Sequence, residues 1–293
     1  MSGSLTELGR QVRERDWERF ICALFAPNER RQALFAILAF NAELARTRSV
    51  VSEPLLGEVR LQWWRDALAT IYDDTGVVPV GSPLLADLAS AIRRYHLPRQ
   101  VLDAMIDARS ADLEMAPHAD LDALLAYASA TSGGVTELTL YALGAYAGEG
   151  EGDVEPYATI RRAGARVGTA WSLIGLIRAS EFMAAEGHTF LPRQLLDQVG
   201  LNPEKVIAGE FSPPLAELLQ LIAGVASQYI LECQAVRDQM PKICVPAFLP
   251  AGMAGRYLQR LRRAQFNPTG GVLEGGRRTA QLGVLWRALT GRY

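Results

Sequence analysis

Apolar positions recur every three to four residues along most of the 293-residue chain, and runs of alternating β-branched residues are almost absent. The pattern predicts an all-α protein. Between Arg30 and Arg48, residues Leu34, Ile37, Leu38, Ala42 and Ala45 keep to one helix face. A second helix is predicted from Pro54, with Leu55, Val59, Trp63, Ala67 and Ile71 on its stripe. Asn28, after Pro27, and Ser52 stand where N-caps belong. Further helices are predicted over about 83–95, 98–115, 119–147, 154–184, 213–239 and 248–265, and a last one ends at Arg292.

The segments between them read as connections: Thr75 to Pro83, Ala116 to Ala119, Gly148 to Asp153 and Asn267 to Gly276. The acidic glycine run at Gly148–Asp153 lacks the spaced ligands of an EF-hand and is expected to be a solvated connection. Gly271 to Arg278 mimics the spacing of a phosphate loop, but Arg277 and Arg278 replace the Lys and the Ser/Thr, and no strand precedes it. Neither an internal repeat nor a composition break divides the chain, so one domain over residues 1–293 is expected.

Charge narrows the function classes. The chain has 28 Arg and 2 Lys against 13 Asp and 19 Glu, net −2, which excludes a basic nucleic-acid binder. The longest stretches without a charge, Ala123 to Thr136 and Leu218 to Leu231, are 14 residues each, too short to span a bilayer as helices. The N-terminal segment has neither an apolar signal core nor an acid-free amphipathic transit pattern, so a bacterial-type cytoplasmic location, membrane-peripheral at most, is the expectation. Cys22, Cys233 and Cys244 form no C-x-x-C pair and read as plain thiols.

Two stretches carry more information together. The first is Phe25-Ala26-Pro27, Arg30, Leu34 to Arg46 and Arg60-Leu61-Gln62-Trp63-Trp64-Arg65; the second is Gly168 to Arg178, Gly187 to Pro192 and Gly200-Leu201. With Tyr127 and Gly133-Gly134-Val135 between them, they resemble the squalene/phytoene synthase family from about Asp16 to the C-terminus. The resemblance implies the isoprenoid synthase fold, a helical bundle around a central apolar cavity. Its catalysts join two prenyl diphosphates head to head. The leaving diphosphate needs Mg²⁺ held by carboxylates on facing helices, where residues four apart share a face.

The family pattern places acids at five positions of this chain. The residues there are Ala45, Arg46, Ser49, Ala179 and Met183, while Phe40, Arg178, Gly187 and the Phe190-Leu191-Pro192 block stay in register. Glu43 and Glu181, the nearest acids, lie two residues from an expected ligand position, about 200° round the helix, and are expected to face solvent or a neighbouring Arg. No metal site and no cofactor are therefore expected.

Phe40-Asn41-Ala42-Glu43-Leu44-Ala45, Val51-Ser52-Glu53, Arg60 to Trp64 and Val245 to Leu249 resemble a noncatalytic branch of the family, related to an assembly factor of respiratory complex I. That resemblance implies an inert, pseudoenzyme-type accessory protein whose partner is a complex I subunit or assembly intermediate, with a lipid or isoprenoid as a candidate cavity ligand. Candidate ligand-binding residues are Phe40, Arg46, Arg48, Tyr127, Trp171, Arg178 and His188. Arg46 and Arg48 read either as a solvated helix end or as a metal-free guanidinium site for an anion. Trp63, Trp64 and Trp171 read as core or as pocket lining; His96 and His118 read as ordinary polar residues. The enzyme alternative, a prenyltransferase with a relocated Mg²⁺ site, needs converging carboxylates, for which Asp103, Asp107 and Asp112 are available.

Overall fold

A computed structural model describes residues 5–73, 82–145, 155–273 and 277–291. It is helical throughout, with no strand among the described residues. The chain opens with α1 (Glu7–Arg15), where Thr6 accepts from the Gly9 amide at 3.1 Å, and α2 (Trp17–Ala23), where Asp16 does the same for Arg19 at 3.1 Å. Periodicity alone did not mark these two short helices. The next helix, α3 (Asn28–Ala45), is buried on nearly every side, from Ala33 to Asn41, and is the central rod of the bundle. A 3₁₀ turn at Arg48–Val50 leads to α4 (Pro54–Tyr72) and then α5 (Pro83–Tyr95).

Two expected caps are corrected. Asn28 is the first helical residue of α3, its Oδ1 taken by Arg31 at 3.3 Å, and the preceding Pro27 has no side chain to cap with. Glu53, not Ser52, stands before α4, without a side-chain cap; Pro54 supplies the pre-set first turn instead. The 98–115 helix divides at Arg109 into α6 (Arg99–Ala108) and α7 (Ser110–Glu114). The 119–147 helix becomes α8 (Leu121–Ala128), a π turn at Ser129–Gly133 and α9 (Gly134–Ala142).

The 154–184 helix is also interrupted. The long α10 (Glu155–Arg178) stops at Ala179, with φ −86° and ψ 0°, before α11 (Ser180–Ala185). Short helices α12 (Arg193–Gln198) and α13 (Pro203–Ile207) follow, then α14 (Pro213–Ala235), α15 (Val245–Arg263) and α16 (Arg277–Thr290). The Gly148–Asp153 run lies outside the described residues, as does part of the Gly271–Arg278 motif.

The buried residues form one contiguous cluster. Its deepest members include Ile37 and Phe40 of α3, Leu61 and Leu68 of α4, Leu138 of α9, Leu173 of α10, Ile222 of α14 and Phe248 of α15. The π turn, α9, α14 and α15 pack around α10. The closest approach is at Gly168, where a Cβ would come within 2.3 Å of Ser132 O and 2.6 Å of Gly133 Cα. Only a residue without a side chain lets α10 sit this tightly on the π turn. By length and composition α14 could cross a membrane, yet Leu218, Leu219, Ile222 and Ala226 are buried in the bundle.

Candidate functional site

The five positions where the family pattern places metal-binding acids lie at or just beyond the C-terminal ends of α3 and α10. Ala45, Arg46 and Ser49 are exposed, and the Ser49 hydroxyl donates to Arg46 O at 3.0 Å. Ala179 falls in the break between α10 and α11, and Met183 is half-buried against the core.

The acids that do lie nearby are already engaged. Glu43 is paired with Arg15 of α1, with Arg60 of α4 at 2.8 Å and with Arg46 at 3.4 Å. Near the start of α2, Glu18 pairs with Arg178 at 2.7 Å and accepts from the Tyr257 hydroxyl at 2.5 Å. The Arg178 guanidinium stacks 4.1 Å from the Tyr257 ring centroid, and Trp171 flanks that ring at 6.3 Å. Burial and the hydrogen bond to Glu18 push the Tyr257 phenol up to about 12. Glu181 is exposed and accepts from the Gly270 amide at 3.3 Å.

A second polar cluster sits behind α3. Arg109, at the α6–α7 break, donates to Asp112 at 3.0 Å, to the Tyr127 hydroxyl at 2.8 Å and to Asn41 Oδ1 at 3.3 Å. The Tyr127 hydroxyl in turn donates to Asp112 at 2.8 Å. Burial opposes the charge on Arg109, but Tyr127 and Asp112 outweigh it and hold the guanidinium above its usual range. Burial also pushes the Tyr127 phenol well up. His118 tilts against the Tyr127 ring at 5.1 Å; burial lowers its pKa, with Asp112 partly offsetting.

Arg48 turns away from the solvent to Met115 Sδ at 2.9 Å, so Arg46 and Arg48 do not converge on one anion site. Phe40 is fully buried, edge-on to Trp64 at 5.1 Å. Of the tryptophans, Trp64 and Trp171 are core, whereas Trp63 is half exposed. His188 lines a small apolar void of about 50 Å³ with Phe190, Phe211 and Leu219, its Nδ1 buried without a partner. The seven candidate residues therefore do not form one site; of them, Trp171 and Arg178 meet, at the Tyr257 ring. Sequence reasoning missed Arg15, Glu18 and Arg109, whose partners lie 28, 160 and 68 residues away; only the Arg109–Asp112 spacing was visible locally.

The residues present do not fit a diphosphate-bridging Mg²⁺. Among the described residues no group of three or more His, Cys, Asp or Glu is placed to hold a metal ion. Asp103, Asp107 and Asp112 do not converge: each is tied to a different arginine, Arg99 at 3.3 Å, Arg65 at 2.8 Å and Arg109 at 3.0 Å. Between α2, α3, α9 and α15 a void of about 30 Å³, lined by Leu34, Leu38, Val135 and Ala247 with Arg19 and Thr139, has room for a water or two.

Comparison with known proteins agrees with this architecture. The chain is 27% identical over 256 residues to a rat protein named NADH dehydrogenase (ubiquinone) complex I, assembly factor 6, covering 87% of this chain and 73% of that one. To the phytoene synthase of Mycobacterium tuberculosis it is 25% identical over 249 residues, covering 83% and 75%. The squalene synthase HpnC of Alicyclobacillus acidocaldarius superposes with a TM-score of 0.74 at 18% identity, covering 89% of this chain and 94% of that one, which shows the shared fold. The squalene/phytoene synthase family model matches residues 12–284, and the chain belongs to that family.

Proposed function

We propose that this protein is a catalytically inert squalene/phytoene synthase-fold protein that serves as an assembly or accessory factor for respiratory complex I. The observation that carries the proposal is the state of the two helix ends. All five acid positions are substituted, and Glu43 and Glu18, the acids beside them, are held by guanidinium groups. A divalent cation entering there would have to displace Arg15, Arg46 and Arg60 from Glu43 at a site where three guanidiniums already outnumber the single carboxylate. Relatives named as complex I assembly factors support the role and its partner, a complex I subunit or assembly intermediate. A lipid or isoprenoid is the proposed cargo of the bundle's interior, although the void of about 30 Å³ between α2, α3, α9 and α15 is itself too small to hold it.

The test has two arms. Purified protein with Mg²⁺ and farnesyl or geranylgeranyl diphosphate should release no diphosphate above the uncatalysed background. Deletion in a host that carries the gene should lower complex I activity and accumulate assembly intermediates. Diphosphate release at enzymatic rates sinks the inert reading, and intact complex I in the deletion strain sinks the assembly role.

A further inference from the structure

The C-terminal fifth of the chain carries a charge opposite to the rest. Residues 239–293 hold nine Lys and Arg against one acid, Glu274, whereas residues 1–238 hold 21 against 31. This basic segment ends in a helix whose exposure is inverted. Val284 of α16 is buried, and Arg287 lies across Gly252 of α15, where a Cβ would come within 2.3 Å of its Nε. The opposite face presents Leu282, Leu285, Trp286 and Leu289 outward, with Leu282 68% and Leu289 77% exposed. These positions, at spacings of three and four, form one stripe on the solvent side, where a helix packed on a bundle normally carries charge.

The stripe is not isolated. Leu282 and Leu285 form one wall of an open apolar groove of about 580 Å³, and Ile21, Leu24 and Phe25, at the end of α2, form the other. Arg256 lies against Gly283, 2.9 Å from where its Cβ would be, so Arg256 and Arg287 sit on the inner flank of the helix. Burial lowers the pKa of both, and in Arg287 the neighbouring charge of Arg256 adds to the effect.

We propose that this face, α16 with the end of α2, docks the protein on an anionic lipid membrane. An exposed Leu/Trp stripe backed by arginine and free of acid is the composition of a helix that lies in a membrane interface, with its apolar face among the acyl chains and its cations toward the headgroups. Charge selects this occupant over a second copy of the chain, because a symmetric dimer through α16 would oppose two basic segments. It also distinguishes this face from the apolar stripe of α4, where Leu55, Val59 and Trp63 are exposed among Glu58 and Asp66. The inference stands apart from the inert reading, since a synthase with the same face would dock equally.

Flotation of the full chain tests it with phosphatidylcholine vesicles and with mixed phosphatidylcholine–phosphatidylglycerol vesicles. The wild type should float only with the mixed vesicles, and raising the salt should release it. Leu285→Asp combined with Trp286→Ser should lower the floated fraction about tenfold or more while helicity and melting stay unchanged. Should that pair fail to fold, Leu289→Asp, at the most exposed position of the stripe, carries the same expectation. Val59→Asp on α4 should float like the wild type. The proposal is overturned if the mixed vesicles do not bind, if the α16 variants float normally, or if Trp286→Ser splits a solution dimer.

Discussion

Glu43 of α3 accepts a hydrogen bond from Arg60 of α4 at 2.8 Å, tying the end of the central helix to its neighbour where a synthase of this fold turns its carboxylates toward metal. Arg15 and Arg46 share the same carboxylate. The contact has become structural, and its loss has a definite sign. Glu43→Ala leaves three guanidiniums facing one another. Because they are about a third or more exposed, screening limits the cost to about 1 kcal/mol. Urea denaturation should show that loss, larger at low salt than at high salt.

The Arg109 cluster is deeper and should respond more strongly. Arg109→Ala strands Asp112, the Tyr127 hydroxyl and Asn41 Oδ1 together, for an expected cost of about 3–5 kcal/mol. Tyr127→Phe removes one donor and one acceptor but leaves the Arg109–Asp112 pair, for about 1–3 kcal/mol. Equal losses for the two variants in denaturant titrations would contradict a cluster centred on Arg109.

Two glycines of α10 should behave oppositely. Gly168→Ala places a methyl on Ser132 O and Gly133 Cα, backbone that cannot rotate aside, and should cost about 3 kcal/mol or more. Gly175 has nothing within 4 Å of its Cβ position, so Gly175→Ala should gain about 0.5–1 kcal/mol from helix propensity alone. Thermal melts of the two variants on opposite sides of the wild type are the expected result.

All three cysteines are buried. Burial pushes the Cys244 thiol up to about 11 and that of Cys233 up to about 12, and it holds the Cys22 thiol well above its ordinary value, with Asp16 and Glu18 adding to the effect. At pH 8 the native protein should therefore react negligibly with a disulfide reagent, and unfolding should expose three fast thiols. A rapid native equivalent of one thiol would show that the core around that cysteine opens.

How legible the molecule was depended on the range of the interactions involved. The periodicity located α4, α5 and the long runs of α10 and α14, but it chose the wrong face for the first half of α4: Leu55, Val59 and Trp63 of the expected stripe are exposed, and the buried face runs through Gly57, Leu61, Trp64 and Leu68. It did not show where the helices break. The π turn at Ser129–Gly133 is pressed against Gly168 of α10, a partner far along the chain, and the stop at Ala179 interrupts an otherwise continuous helical pattern. The candidate site was half legible. The family register exposed the missing acids from position alone. What replaced them could not be read, because Glu43 finds Arg15 and Arg60, and Glu18 finds Arg178 and Tyr257, across 17 to 239 residues of chain.

α2 is seven residues long, about 10 Å of helix. Near its first turn Glu18 is clasped by Arg178 and Tyr257; just past its last, Leu24 and Phe25 form a wall of the groove under α16. One short rod thus joins the outer groove to the Glu18–Arg178–Tyr257 clasp. The groove wall and the carboxylate that holds Arg178 are set about two turns of one helix apart. The end of α10 and the surface groove thereby share one support, the short helix α2.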